Sequence, residues 1–297
     1  MSITRSISAI LMLALAFALF IFGGYPLAGV LLIISLIGFW ELSKAFANPA
    51  PEPGAERVPL PAKKKIDYLD IIGLITVAIY YVVMVFMQDV VHQFMVVACF
   101  VIAILFVYVF SFPKVSIDRI AAIVFSFLYC PVMLGFVYMT RESEPYGKYL
   151  IWMILISSWG CDTFAFLFGI AFGKKKIFPL LSPKKSLAGC IGGLVSSAVI
   201  GGIYGYFYVM PALRKMKGTE VDDNPYFFLI LAAICLVGGL IGMLGDLVAS
   251  GIKRNKGFKD FAKLIPGHGG IIDRFDSTIS AAPAVYVLSL LLISTHC

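Results

Sequence analysis

Nine stretches of about 20 predominantly apolar residues follow one another along this 297-residue chain, each long enough to cross a bilayer as a helix at 1.5 Å per residue. They lie at roughly 3–22, 26–45, 67–87, 91–112, 118–139, 149–172, 187–209, 226–250 and 277–295. Hydrocarbon offers no water to backbone N–H and C=O groups, so each run has to satisfy them internally. The expected fold class is therefore all-α, a polytopic integral membrane protein with about nine transmembrane helices. A content of 60% hydrophobic and 14% charged residues lies outside the balance of soluble domains. Arg5 ahead of an apolar run gives the N-terminus the outline of a secretory leader. No small-x-small cleavage pattern follows, and the second run begins directly after Gly23-Gly24-Tyr25-Pro26, so a helical hairpin is the expectation.

Basic residues orient the chain. The N-terminus and the loops after runs two, four, six and eight hold 19 of the 24 Lys and Arg residues, which predicts a cytoplasmic N-terminus. Three regions follow: a hairpin with a proline-rich basic linker (1–66), a middle set of helices (67–145), and a C-terminal region (146–297) that carries the chemistry. The linker has five prolines between Pro49 and Pro61, then Lys63-Lys64-Lys65, and reads as a spacer touching anionic headgroups. The six cysteines are scattered without a C-x-x-C pair, so neither a zinc site nor a disulfide framework is expected.

Three features converge on the cytoplasmic side. Asp162, inside the sixth run, is costly in hydrocarbon and has to face a polar cavity or a partner; a structural acid paired with lysine is the alternative. The loop after that run holds Ser182-Pro183-Lys184-Lys185-Ser186 just ahead of the seventh, where free N–H groups and the helix dipole favour an anion such as a triphosphate. No G-x-x-x-x-G-K-[ST] is present, so this is not a P-loop. The third is SGIKRNKGFKDFAKLIPGHGGIIDRFDS, Ser250 to Ser277, with six basic residues and three aspartates. Asp273 and Asp276, three apart, could share a helix face and with Asp246 make an oxygen-rich site for magnesium; alternatively they cap the last helix and pair with Arg274. Gly267, Gly269 and Gly270 let backbone approach phosphate, and His268 would donate to a phosphate oxygen or act as a general acid or base.

Ser250, Lys253-Arg254, Lys259-Asp260, Pro266, His268-Gly269-Gly270, Asp273-Arg274 and Asp276 together resemble the signature of the phosphatidate cytidylyltransferases, the CDP-diacylglycerol synthases. The likeness extends upstream through Asp162-Thr163, Phe172-Gly173-Lys174, Ser182-Pro183-Lys184-Lys185 and Gly245-Asp246, roughly the C-terminal half. Two positions depart from the pattern: Ala188, where an acid commonly precedes Gly189, and Ala262, where glycine is common.

The resemblance implies transfer of a cytidylyl group from CTP to phosphatidate with magnesium, with or without a second cation. It implies catalytic duties for Asp162, Lys259, Asp260, His268 and Arg274. Substrate would be bound by Ser182, Lys184, Lys185, Ser186, Lys253, Arg254, Gly269 and Gly270, and metal by Asp246, Asp273 and Asp276. It further implies a homodimer in a bacterial inner (plasma) membrane, in contact with membrane lipid, with the site facing the cytoplasm and no nucleic-acid partner. Two other classes suit the same residues: a CTP-dependent lipid-alcohol kinase, and a transporter of a phosphorylated solute. The transporter does not account for charges gathered on one face.

Overall fold

The computed structural model describes residues 3–48, 66–212, 227–262, 264 and 269–296, which form nine helices and no β-strand. They are α1 Ile3–Phe22, α2 Gly24–Ala47, α3 Tyr68–Met87, α4 Val90–Ser111, α5 Ile117–Glu142, α6 Gly147–Phe172, α7 Leu187–Ala212, α8 Phe227–Asn255 and α9 Ile272–His296. The all-α polytopic expectation holds. Eight helices are long and apolar enough to cross a membrane, and α1 contributes a shorter apolar stretch, Ile10–Phe22. The proline-rich linker and His268 lie outside the described residues.

Local chemistry explains the boundaries. Gly23 and Gly24 have φ of 62° and 54°, a region in which side chains are strained, and Pro26 sits in the first turn of α2, where its missing N–H costs nothing. Asp67 and Asp70 form a reciprocal capping box on α3, while Asp89, Ser116 and Ser186 cap α4, α5 and α7 through backbone N–H groups. Pro131 cannot donate in mid-helix, and α5 passes it in a π-helical turn, Leu128–Val132. The last helix begins at Ile272 rather than near 277, so Asp273 and Asp276 are helical. Carboxylates are favourable at that end because first-turn N–H groups lack intrahelical acceptors.

The chain divides into two compact units, Met1–Gly135 with Ile252–Arg274, and Phe136–Gly251 with Phe275–Cys297. In the first, Phe39, Tyr80, Tyr81, Phe127, Phe258 and Phe261 are fully buried. Helices α2 and α3 approach through Gly73, where an added Cβ would lie 2.1 Å from the Phe39 ring, and Ser35 and Tyr81 share a 2.7 Å hydrogen bond. Helix α4 turns apolar side chains outward, Phe110 being 84% exposed, which suits a lipid-facing surface.

Arg119 at the start of α5 ties this unit together. Its guanidinium donates to Asp70 at 2.6 Å, Asp67 at 2.9 Å, and the Ser43 carbonyl and hydroxyl at 3.2 and 3.0 Å, and Ser43 also donates to Asp70. The C-terminal end of α2 and the N-terminal ends of α3 and α5 thus meet, as alternate threading across a bilayer requires. In the second unit Ile151, Met153, Ile154, Leu231, Ile234, Ile279, Ala281 and Val285 form the core.

Arg119→Met strands the fully buried Asp70 without its cation, which costs about 3 kcal/mol. A lowered melting temperature in detergent is the expected result; an unchanged one would show that Ser43 and the helix N-terminus suffice.

Candidate active site

In the second unit, side chains from α6, α7, α8 and the loop before α7 line a cavity of about 490 Å³, within the size range of small-ligand pockets. Asp162, Phe166 and Ile170 come from α6; Lys176, Lys184, Lys185 and Ser186 from the loop; Gly189 and Cys190 from α7; Met243 and Asp246 from α8. Its walls are apolar and its polar groups are two carboxylates and three lysines beside a hydroxyl.

A π-helical turn, Ile156–Gly160, immediately precedes Cys161-Asp162 in α6. The extra residue in that turn changes the face on which the following side chains stand, a device frequent beside functional sites. The Ser277 side chain of α9 stands beside Asp162. The acid expected to need a polar cavity therefore has one.

Glycine permits α6 and α7 to pack closely at this place. An added Cβ would lie 2.6 Å from the Ala165 carbonyl oxygen at Gly189 and 2.7 Å from that of Cys161 at Gly193. Small residues at such crossings replace the hydrophobic drive that lipid removes. The loop is shaped by backbone hydrogen bonds from Ile177 N–H to Lys185 (3.3 Å) and Leu187 N–H to Lys175 (2.9 Å). Ser186 accepts from the Gly189 N–H and is buried, while Lys184 is exposed. Lys185 forms a 2.7 Å ion pair with Asp246 and donates to the Met243 carbonyl at 3.2 Å. Asp276 stands where α8 and α9 are tightest: a Cβ on Gly245 would be 2.7 Å from its carbonyl oxygen.

The signature segment from Ile252 to Arg274 belongs to the first unit. There Asp273 Oδ1 accepts from Lys253 at 2.7 Å, and Oδ2 accepts from the Phe261 and Gly270 N–H groups at 2.8 and 3.0 Å. Lys253 also lies 5.6 Å from the centroid of the buried Phe261 ring. Gly269 has φ of 84°, and a Cβ there would come within 2.9 Å of Asp273. Arg274 Nε is buried without a hydrogen-bond partner among the described residues, an arrangement that suits an anion. Lys259 and Asp260 are exposed.

The structure thus gathers Asp162, Lys184, Lys185, Ser186 and Asp246 on one cavity, and Lys253, Gly270 and Asp273 in one hydrogen-bonded cluster. Ser182 is not on the cavity; its carbonyl accepts from the Lys185 N–H in the turn. Among the described residues no three His, Cys, Asp or Glu side chains gather into a metal-holding group. The donor chemistry still fits magnesium, which is usually held by one or two carboxylates together with substrate phosphates, and Asp162 and Asp246 provide two. The first turn of α7, with Ala188, carries no acid.

Sequence reading missed Glu41, a buried acid of α2 whose carboxylate accepts from the Ile271 and Ile272 N–H groups at 3.0 Å each. Applied to the second run, the reasoning used for Asp162 would have found it.

A family profile described as "Cytidylyltransferase family" matches residues 3–292. The chain is similar to the phosphatidate cytidylyltransferases of Staphylococcus saprophyticus and Staphylococcus aureus, at 37% and 38% identity over 157 residues, 53% of this chain and 55% of theirs. That of Staphylococcus epidermidis is 37% identical over 164 residues, 55% of this chain and 56% of the relative. These alignments span about half the length of the curated relatives.

Gly189→Val, forced against the Ala165 carbonyl, is expected to cost about 2 kcal/mol through overpacking. Thermal melting in detergent would register it, and wild-type stability would mean that the two helices can separate freely here.

Proposed function

Since the chain belongs to the cytidylyltransferase family, we propose that it transfers the cytidylyl group of CTP to phosphatidate, releasing pyrophosphate and forming CDP-diacylglycerol. The observation that carries this reading is the cavity that three lysines from one loop line together with two carboxylates from membrane-spanning helices. A triphosphate needs the cations, and a lipid phosphate needs a site bordered by apolar helices.

Both reactants are anions, so attack of the lipid phosphate oxygen on the α-phosphorus requires fixed positive charge to screen repulsion and spread the developing negative charge. A new bond forms between the lipid oxygen and the α-phosphorus while the bond from that phosphorus to the β-bridging oxygen breaks. A phosphomonoester, with its second pKa near 6, is largely a dianion at pH 7 and needs no base to act as nucleophile. Lys184 and Lys185 hold the triphosphate, and Lys185 takes part of the charge of the departing pyrophosphate. Lys253 and Arg274 are assigned to the lipid phosphate, with Lys259 and Arg254 supporting them.

Magnesium, when bound, supplies charge screening and alignment of phosphate oxygens. Asp246 and Asp162 would hold it from the cavity. Asp276 and Asp273 remain further metal candidates, each within its own unit; Asp273 accepts three hydrogen bonds, and a carboxylate has about four acceptor positions. The active face is assigned to the cytoplasm, where CTP is made, in a bacterial inner membrane.

Purified protein supplied with phosphatidate, magnesium and CTP labelled separately at the α- and γ-phosphates should pass α-label into lipid and γ-label into pyrophosphate. Passage of γ-label into a lipid alcohol would instead identify a kinase. Asp246→Asn is expected to lower turnover about 100-fold or more, the scale of losing a group that stabilises the transition state. Lys185→Ala should raise the KM for CTP about tenfold, equivalent to about 1.4 kcal/mol, and change that for lipid less. The reverse pattern would exchange the substrates assigned to the two clusters.

A further inference from the structure

The N-terminal hairpin carries a residue that bears on the chemistry. Glu41 stands in α2 with only 3% of its surface exposed. Oε1 accepts from the Ile271 N–H and Oε2 from the Ile272 N–H, both at 3.0 Å. Those donors open α9, where first-turn N–H groups have no acceptor of their own helix. The fit is close: a Cβ on Gly270 would be 2.6 Å from Glu41 Oε2, so only glycine passes this point without displacing the acid.

The grip is reciprocal. Lys256, past the end of α8, donates to the Phe46 and Asn48 carbonyls at 3.2 and 3.0 Å and so closes the C-terminal end of α2. Three residues after Gly270, Asp273 accepts the Gly270 N–H and pairs with Lys253. Consecutive N–H groups of residues 270, 271 and 272 are therefore taken by two carboxylates, one local and one from a helix more than 200 residues earlier.

We propose that Glu41 is a positioning residue for the transfer reaction: by holding the first turn of α9 it sets where Asp273, and through it Lys253, stand for the lipid phosphate. This rests on the functional reading above. Glu41 itself contacts no substrate in this assignment, so its loss lowers turnover without weakening CTP binding. Glutamine keeps the shape but directs an amide N–H at one of the two backbone donors. Aspartate keeps the charge at the helix end and falls short by one methylene.

The test uses the full-length protein in detergent and reads hydrogen exchange at residues 269–273 together with steady-state kinetics. In Glu41→Gln, exchange of the Ile271 and Ile272 amides should accelerate about 100-fold while α3 and α4 exchange as before, because the loss is local. The kcat should fall about tenfold, with the KM for CTP within about twofold of the unaltered value, the pattern of a defect confined to the reacting arrangement. Glu41→Asp should lie between Gln and Glu in both readouts; if Glu41→Gln does not fold, it is judged by the same criteria. Unaltered exchange at Ile271 and Ile272 in Glu41→Gln overturns the clamp. Accelerated exchange with unchanged kcat overturns the positioning role. Absence of transfer by the unaltered chain overturns the functional reading and with it the catalytic consequence, while exchange, which needs no turnover, still judges the clamp.

Discussion

An ionised side chain among membrane helices has no water to turn to, so protein donors have to meet it, and that requirement organises both units of this chain. Asp70 is met by Arg119 and Ser43, Glu41 by two backbone N–H groups, Asp273 by Lys253 and two more. Asp162 has Ser277 beside it, and Asp246 has Lys185. In the first unit the partners sit at helix ends that alternate threading brings to one side. The polar contacts therefore determine which helix ends are neighbours, while the apolar surfaces, alike from one helix to the next, could pack in several ways.

Two of these pairs have the same composition. Lys185–Asp246 in one unit and Lys253–Asp273 in the other each join an ammonium and a carboxylate at 2.7 Å. Under the proposed reaction each partner has a second use: the lysine for phosphate, the carboxylate for the cation accompanying it. An anionic substrate with its magnesium carries the complementary charges, so it can exchange with the internal pair without leaving either side chain unsatisfied. The desolvation cost of the carboxylate and the lysine is thus met in advance by each other.

Apolar run length made the helices legible in the sequence, because bilayer thickness dictates it. Polar residues that interrupt that pattern were legible as candidates, and Asp162, the Lys184-Lys185 pair and Asp246 line one cavity. Other matters depend on three-dimensional contact. That Ser186 is buried as a helix cap follows from the path of the loop, and that Asp273 accepts three hydrogen bonds follows from the places of Lys253, Phe261 and Gly270 beside it. Glu41 carried a signal, an acid inside an apolar run, yet its partners lie at the other end of the chain. A backbone N–H has no sequence signature, so such a pairing cannot be anticipated from residue types.

The separation of Glu41 from its partners bears on how the protein is made. Ile271 follows it by 230 residues, and at about 5–20 residues per second the ribosome needs roughly 10–50 seconds to reach it. Throughout that interval α2 has been synthesised while its carboxylate has no native N–H donor to accept from. During biogenesis Glu41 has to stay near the headgroups, take up a proton or borrow a partner from the insertion machinery. Helix α2 is thus synthesised long before it can reach its final hydrogen bonding, which waits on the start of α9.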